Sequence, residues 1–563
     1  MGKRKTGGAI EASDASKFLV LPVIVLILAQ MGTSGDNGSL SIANTELVTQ
    51  LGATTPDIQL ANLVYSLMAG ALMIAGGLVG TIIGWKKNFR IGALICAGGE
   101  LVMAMSPNMT VFIWGGRVLV GLGASLMIPS VLGLVPKIYH GKNRVVAFGC
   151  IGAASGLSAM LPLLLGIIME FGGFRVVYVT LACYFVMVFL LSFKIPAISK
   201  DSDEKLKFDG VGTGLAAIGL FLFLLGLSRI SAWGLVEPLS ECPFTLFGIS
   251  PALPMAVLGI VILVVMVKLE KSIEAKNGVA LLPQSFLKTP QVIAGLVASA
   301  VTFFFMGIQT ILLSPYLQLV AGWSAITMGA TSLMVGLPTF LVAMLIPKLM
   351  PNANPRHVIQ LGYVVLAGAL VVMLTSLADD GTVGALMYVG FVLAGIGIGI
   401  MSAQQNNVVA LALNERDASQ SGGIQTTMRN VGQAIGVAAI GSVLLFGITA
   451  NINQAMVSSA DVSPEVAQAV SEKSVTLMSD ASFLDAISDI DMTDEEQQEL
   501  LTVNAKARVD ATRTAFIVSA VIVLLALVTT PMITKLRKED DEQVSATSAF
   551  QNEGDRDEAQ SVA

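Results

Sequence analysis

The stretch FLVLPVIVLILAQMGTSGD, residues 18–36, joins an almost purely apolar run to a carboxylate. About 20 consecutive apolar residues form a helix long enough to cross a bilayer. Asp36 therefore lies in a segment that is otherwise suited to lipid. An ionised Asp near the bilayer centre costs about 2.5–3.5 kcal/mol, so a charge at this place indicates a specific role.

The composition of the whole chain agrees with this first stretch. Of 563 residues, 54% are hydrophobic and 13% are charged, whereas soluble proteins carry about 25% charged residues. Apolar runs long enough to span a bilayer recur along the sequence. The chain is therefore predicted to be an integral membrane protein.

We count fourteen apolar spans. They lie at 18–44, 57–83, 89–106, 110–134, 146–169, 174–195, 211–230, 250–267, 291–313, 326–347, 358–377, 384–411, 418–448 and 514–533. Lys and Arg follow the even-numbered spans, while the turns at 45–56, 106–109 and 378–383 contain neither residue. Because basic loops stay in the cytoplasm, both termini are expected inside.

Two regions are predicted to lie outside the bilayer. Residues 449–512 form a long acidic loop on the outer side, with a helix start at Ser463 and a capping box from Thr493 to Glu496. The second loop helix is expected to continue into the last span. The tail 534–563 is highly charged and is predicted to be disordered in the cytoplasm.

Enzyme chemistry has no support in the sequence. The cysteines lie singly, the two histidines occupy separate loops, and no Gly-x-x-x-x-Gly-Lys phosphate loop is present. No Ser/His/Asp or Cys/His arrangement is found either. We expect neither a metal nor a cofactor, and no nucleic acid as a partner.

Five motifs in order resemble one family. They are QLGATTPDIQLANLVYSL at 50–67, RVLVGLGASLMIPSVLGLV at 117–135, FDGVGTGL at 208–215, SPYLQLVAGW at 314–323 and SGGIQTTMRNVGQAIGVA at 421–438. With the span count, they resemble the fourteen-span drug:proton antiporters of the major facilitator superfamily. The resemblance covers about residues 18–535.

The resemblance implies an all-α membrane protein with the major facilitator fold. Two six-helix bundles would occupy 18–195 and 291–533, with residues 1–17 in the cytoplasm and two inserted helices within 196–290. The bundles would rock about a central cavity and open it to one side at a time. Such a protein works as a monomer in the bacterial inner membrane, with a small-molecule substrate, protons and the bilayer as its partners.

Three charged residues are candidates for proton coupling. Asp36 matches the acidic residue of the family's first span and Arg117 the arginine of its fourth, whereas Glu100 has no family counterpart. Counted along the spans, all three lie roughly 9–12 Å from the outer surface. One arginine facing two carboxylates leaves one acid free to take up a proton or a cation. The alternatives are a wet turn at Asp36, a rim position for Glu100 and a purely structural pairing of Arg117.

The second bundle has a polar stripe. Its members are Gln404, Gln405, Asn406, Gln425, Arg429 and Gln433. The last three recur every four residues and share one helix face. We interpret the stripe as the lining of the substrate cavity, and the alternative is hydrogen bonding between helices.

Candidate gating residues follow the family's motifs, with departures. Their positions are Gly77, Gly84 and Lys86 between spans 2 and 3, and Pro162 and Gly166 in span 5. Thr81 and Ile82 replace the family's Asp-Arg pair, and Leu161 and Leu165 replace glycines. Gating must then use other contacts, and the spacing of Gly76, Gly80 and Gly84 also suits simple helix packing.

The leading functional hypothesis is proton-coupled export of organic compounds, cationic or amphipathic in character. The second is a transporter of the same fold for a lipid, peptide or metabolite without classical antiport, which the altered motifs favour. The third is a membrane sensor or scaffold that uses the loop 449–512. Deleting this loop would separate the third hypothesis from the others.

Overall fold

A computed structural model of the chain describes most of the sequence. The described residues are 18–53, 55–158, 161–196, 209–239, 242–277, 282, 286, 288–323, 325–350, 353–378, 381–413, 415–458, 462–471, 480, 483–484, 487–488, 490 and 492–533. The predicted cytoplasmic segment 1–17 and the predicted tail 534–563 lie outside the described residues.

The described chain is helical throughout. Its helices are α1 (Val20–Leu51), α2 (Thr55–Ile83), α3 (Trp85–Ala104), α4 (Val118–Ile138), α5 (Gly141–Ser158), α6 (Leu161–Leu191), α7 (Gly210–Trp233), α8 (Ala252–Asn277), α9 (Pro290–Ile308), α10 (Ala325–Leu349), α11 (Pro355–Thr375), α12 (Leu386–Leu411), α13 (Glu415–Ser458), α14 (Pro464–Ser471) and α15 (Asp494–Leu525). Three π-helical segments and two 3₁₀ segments extend them, at Val111–Arg117, Gln309–Leu313, Tyr316–Val320, Ser192–Lys194 and Ala526–Met532.

Eleven stretches of the described chain are long and apolar enough to cross a membrane. The other three predicted spans correspond to α1, α3 and α5. In α1 the described residues include the shorter apolar run Val20–Asp36, and α3 carries the charged residues Lys86, Lys87, Arg90 and Glu100. The chain is a multi-pass helical membrane protein, and the count of fourteen spans stays a prediction.

Buried apolar side chains form two large cores. One is built almost wholly from α1–α6, and the other from α9–α15. Between them in sequence, α7 and α8 pack side by side, and α7 also contacts α2 and α13. This arrangement is what two bundles with an inserted helix pair require, although the domain boundaries remain predictions.

Glycines bring the two halves into close contact. A methyl group on Gly422 of α13 would lie 2.7 Å from the carbonyl oxygen of Pro129 in α4. One on Gly423 would lie 2.9 Å from the carbonyl oxygen of Met73 and 3.2 Å from Cα of Gly77, both in α2. This contact lies where α2 ends and α13 begins. A larger residue at either position would push the halves apart.

The break between the fifth and sixth spans lies where the sequence predicts it. The spans are predicted at 146–169 and 174–195, and Gly173 interrupts α6 between them, with φ +71° and ψ 179°. The start of the fifth span differs, since α5 begins at Gly141, and this span also includes the first part of α6, which begins at Leu161. After the break, the backbone N–H of Phe174 donates to Oε2 of Glu46 over 2.6 Å, a charge-assisted bond near the positive end of the helix dipole.

The acidic segment 449–512 contains the two helices that the sequence predicts. The helix α14 starts at Pro464, and α15 starts after the capping box, in which Thr493 and Glu496 bond reciprocally. The helix α15 then continues without interruption from this acidic segment into the predicted last span. Its first turn is acidic, which suits the positive end of the helix dipole.

Gly84 allows a stability test of the turn between α2 and α3. Its φ is +95°, and a methyl group added there would meet no atom within 4 Å. Gly84→Ala is therefore expected to lose about 1–3 kcal/mol through backbone strain alone. The measurement is the thermal unfolding midpoint of the detergent-solubilised protein.

Gly98→Ala is the matched control, because Gly98 lies inside α3 and also has open space around it. Alanine favours a helix over glycine by about 0.5–1 kcal/mol, so this variant should unfold at an equal or higher temperature. Equal midpoints for the two variants would contradict the strain at Gly84.

Candidate functional site

A fully buried ion pair joins α1 to the start of α4. Nη1 of Arg117 donates to Oδ1 and Oδ2 of Asp36 over 2.9 and 3.0 Å. Both side chains have 0% of their surface exposed. Nε of Arg117 donates to the carbonyl oxygen of Ala61 over 3.2 Å, so the same guanidinium also ties in α2.

Glu100 of α3 is the third charged member of this cluster, and it too is fully buried. Its carboxyl group lies beside that of Asp36. Among the described residues, neither oxygen of Glu100 accepts a hydrogen bond from another group, and Nη2 of Arg117 has no partner. The cluster therefore holds two acids and one base with unused hydrogen-bonding capacity.

Local structure explains how Arg117 reaches this place. It ends the π-helical segment Val111–Arg117, and such wide turns often occur at functional sites because they turn side chains out of register. The ring of Tyr65 lies 4.7 Å below the guanidinium carbon, a cation–π distance. The hydroxyl of Tyr65 donates to the carbonyl oxygen of Thr33, which holds the ring between α1 and α2.

Two alternatives from the sequence do not fit this geometry. Asp36 lies inside the continuous helix α1, so it does not occupy a wet turn. Glu100 is buried inside the bundle rather than placed on its rim. The pairing of Arg117 with Asp36 matches the third alternative, and Glu100 is what distinguishes the cluster from a simple ion pair.

The predicted polar stripe is also assembled, around Arg429 of α13. Nη2 of Arg429 donates to Oδ1 of Asn406 in α12 over 3.0 Å, and its guanidinium carbon lies 5.3 Å from the ring of Phe303. Arg429 has 6% of its surface exposed. In the described part of the chain, no carboxylate pairs with it.

The other members of the stripe make local contacts. Gln404 accepts from Nδ2 of Asn407 over 3.1 Å, Gln405 accepts from Thr302 over 2.9 Å, and Gln425 donates to Ser421 over 2.7 Å. Gln433 is half-buried, on the same face of α13. Only the bond between Thr302 and Gln405 joins two helices, and the other two each lie within one helix. Several polar atoms of the group have no partner among the described residues.

The predicted gating residues are dispersed. Gly77 lies in the contact between the two halves, and Gly84 forms the turn after α2. Lys86 donates from Nζ to the carbonyl oxygen of Ile195, so it binds the end of α6 within its own half. Pro162 and Gly166 lie in α6, at the start of that helix.

The lost glycine at Leu161 is compensated in α1. A methyl group on Gly35 would lie 2.8 Å from Cδ1 of Leu161, so the leucine fills the space that Gly35 leaves open. The two helices therefore still pack closely without the family's motif.

Sequence reasoning did not single out the groups that orient the charges. Tyr65 stands in the quoted motif at 50–67, four residues after Ala61, and this spacing places both on one face of α2. Away from the charges, Asn88 is buried and ties α3 to α2 and α4 by donating to the carbonyl oxygens of Gly76 and Leu126. Both residues carry polar groups inside apolar spans, and this feature of the sequence could have identified them.

Comparison with known proteins agrees with this architecture. Residues 26–437 match the family described as Major Facilitator Superfamily, which covers well over half of the chain. The chain belongs to this superfamily. Its fold and family indicate a transporter rather than an enzyme.

Two curated relatives are similar over about three quarters of this chain. The probable actinorhodin transporter of Streptomyces coelicolor is 28% identical over 440 residues, 75% of this chain and 72% of that protein. The puromycin resistance protein pur8 of Streptomyces alboniger is 26% identical over 436 residues, 75% of this chain and 81% of that protein.

A solved structure supports the fold. The human organic anion transporter MFSD10 aligns with a TM-score of 0.52 at 10% identity, covering 91% of this chain and 98% of that one. At this identity the likeness shows the fold alone.

The charge cluster predicts opposite outcomes for its two acids. Asp36→Asn leaves the Arg117 guanidinium buried without a carboxylate against it and should destabilise the protein by about 3–5 kcal/mol. Glu100→Gln removes a carboxylate that accepts no hydrogen bond, and glutamine has nearly the same shape. The free energy of unfolding of this variant should therefore stay within about 1 kcal/mol of the wild-type value. Thermal unfolding of the purified variants compares them, and an equally large loss in Glu100→Gln would contradict the geometry.

Proposed function

We propose that this protein exports organic compounds by proton-coupled alternating access, and that the Asp36–Glu100–Arg117 cluster carries the proton. The observation that supports the proposal is the surplus carboxylate of a fully buried cluster. The similarity to a probable actinorhodin transporter and to a puromycin resistance protein supports export as the direction of transport.

The charge count makes a proton part of the site. With both acids ionised, the cluster has a net charge of −1 in a place with no exposed surface. An unmatched buried charge costs several kcal/mol. One proton on Glu100 or Asp36 neutralises the cluster and supplies the donor for a hydrogen bond between the two acids.

Loss of this proton also has a defined consequence. The freed Glu100 carboxylate then needs a donor, and Nη2 of Arg117 is the donor in the cluster without a partner. Movement of the guanidinium toward Glu100 would weaken its hold on Asp36 and on Ala61. Protonation would thereby change how α1, α2 and α4 are tied together.

The helix α4 connects this change to the rest of the molecule. Arg117 stands at its start, and Pro129 lies twelve residues later, about 18 Å along the helix axis. Pro129 packs against Gly422 of the C-terminal half. A tilt of α4 would therefore alter the contact that holds the two halves together at that end.

The preference for cationic compounds receives less support than proton coupling. That preference assumed that a cation competes for Asp36. In the structure, Arg117 binds both oxygens of Asp36 and covers them. We therefore propose amphipathic organic compounds as the cargo, with the charged cluster reserved for the proton.

Glu100→Gln tests proton coupling in inside-out membrane vesicles. Ethidium and rhodamine B serve as cargo, and a protonophore collapses the gradient. Wild type should accumulate at least one of these dyes, and the protonophore should abolish this accumulation. In Glu100→Gln the initial rate of uptake should be at least about tenfold lower than in wild type, because the exchangeable proton is absent. Dye exchange between equal internal and external pools, which needs no net proton movement, should persist.

Glu170→Gln is the matched control, since Glu170 is an exposed acid at the far end of the fifth span. It should transport as wild type does. Uptake that survives in Glu100→Gln, or that fails equally in both variants, would overturn the role of the cluster.

Alternating access predicts that fixing the contact between the halves stops transport. Nδ2 of Asn430 in α13 lies 3.4 Å from Sδ of Met73 in α2. In a variant with the native cysteines replaced, Met73→Cys with Asn430→Cys should stop transporting when a short thiol cross-linker is added. Cleavage of the linker should restore transport.

The control pair lies within one half. Gln360 and Thr530 are joined by a hydrogen bond of 2.9 Å between α11 and the final 3₁₀ segment. Cysteines at these two positions should cross-link without loss of transport. Continued transport in the cross-linked Met73/Asn430 pair would exclude separation of the halves at this contact.

A second candidate is transport of a metabolite without proton antiport. It is favoured by Thr81, which replaces the family's acidic gating residue and donates only within its own helix, to Gly77 over 3.2 Å. Uptake that is insensitive both to the protonophore and to Glu100→Gln would select this candidate.

A further inference from the structure

Arg429 is a buried positive charge without a matching negative charge. It has 6% of its surface exposed, and no ionised group among the described residues interacts with it. A guanidinium in such a place costs several kcal/mol unless a partner is supplied. The bond to Asn406 and the ring of Phe303 offset only part of this cost.

The N-terminal half treats its buried arginine differently. Arg117 receives a complete carboxylate from Asp36. Arg429 receives a single neutral amide oxygen instead. The comparison within one molecule indicates that a counter-charge for Arg429 comes from outside the described residues.

Unused hydrogen-bond donors surround the same point. Nε of Arg429 and Nδ2 of Asn406 are buried and have no partner among the described residues. A guanidinium fork with a neighbouring amide N–H₂ group is an arrangement that binds an oxyanion through several charge-assisted bonds. Gln425 and Asn407 are close in sequence to Arg429 and Asn406, and the side-chain oxygen of each is buried and accepts no hydrogen bond among the described residues. Neutral donor groups of a ligand could therefore bond to these oxygens.

The position of Arg429 suits contact with cargo. It lies seven residues after Gly422, close to two helical turns, and so on the face of α13 that meets the N-terminal half. It is also about 12 Å from Ser421, where the apolar part of α13 begins. A group that binds there lies deep in the membrane, between the two halves.

We infer that Arg429 and Asn406 form an anion-recognition subsite, and that the compounds which this protein carries bear an acidic group, such as a carboxylate or a phenolate, that pairs with Arg429. This inference deepens the proposed function, since it names the chemical class of the cargo. It depends on that function only for the direction of transport.

Two dyes of nearly equal shape test the inference. Rhodamine B carries an ionised carboxylate at neutral pH, and its ethyl ester lacks this charge. Purified full-length protein in lipid nanodiscs is titrated with each dye, and binding is followed by fluorescence anisotropy. Wild type should bind rhodamine B more tightly than the ester by at least about tenfold, the size of one charge-assisted contact.

Substitutions of Arg429 should remove this preference selectively. In Arg429→Gln the affinity for rhodamine B should fall to that of the ester, while the ester should bind as well as before or better. Arg429→Lys keeps the charge without the fork and should retain part of the preference. Arg513→Gln, which removes an arginine that bonds Leu377 outside the subsite, should retain all of it.

Asn406→Asp separates recognition from a structural role. The variant places a carboxylate where Oδ1 of Asn406 now accepts from Arg429, and so supplies an internal counter-ion. It should raise the thermal unfolding midpoint and abolish the preference for rhodamine B at the same time. A merely structural arginine would gain stability without any change in the ratio of the two affinities.

Three results would overturn the inference. The first is equal affinity of wild type for the two dyes, or no measurable binding of either. The second is an equal loss of both affinities in Arg429→Gln. The third is an unchanged preference in Asn406→Asp. Dye uptake in energised vesicles tests the proposed function separately. An Arg429-dependent preference without proton-driven uptake would support the anion subsite and reject proton-coupled export. Proton-driven uptake without the preference would support export and reject the anion subsite.

Discussion

Nη1 of Arg117 holds both oxygens of Asp36 where neither side chain meets solvent, and the N-terminal half is organised around this contact. A charge taken out of water needs a counter-charge and a full set of hydrogen bonds, because the surrounding medium no longer screens it. The guanidinium draws on three elements at once, through Asp36 of α1, Ala61 of α2 and its own position before α4. Glu100 adds a second acid, and the balance of charge then depends on a proton.

Close helix packing transmits what happens at this cluster. The helix α4 carries Arg117 at one end and touches α13 near the other, where Gly422 lets the backbones meet. In lipid, helices associate through such small residues rather than through the hydrophobic effect. A chain that lacks the family's acidic gating residue at Thr81 thus still has a defined contact between its halves.

The two buried arginines differ in their partners. Arg117 pairs with a carboxylate of the chain and lies in the cluster to which we assign the proton, while Arg429 pairs with no carboxylate of the described residues and bonds Asn406 instead. Proton-coupled export, as we propose it, would use both kinds of group, because the driving ion and the cargo would bind to different states of the same protein.

Some features followed from local pattern. Apolar length predicted the spans, basic loops predicted their direction, and the capping box at Thr493 was confirmed where the sequence placed it. Asp36, Glu100 and Arg117 were recognised because an ionisable residue inside an apolar run stands out in any sequence. The break between the fifth and sixth spans was also predicted at the right place, because the glycine pair that ends at Gly173 interrupts the apolar run there.

By itself, the sequence determined the class of protein, the approximate spans and which side chains carry charge into the membrane, since these depend on residue type and on spacing along one helix. Only the tertiary structure decided which charges meet. Asp36 and Arg117 are 81 residues apart, and their pairing depends on the packing of α1 against α4. The same holds for Arg429, whose isolation from any carboxylate of the described chain is a property of its neighbours in space. Long-range pairing in a bundle is set by helix packing, and no local pattern contains it.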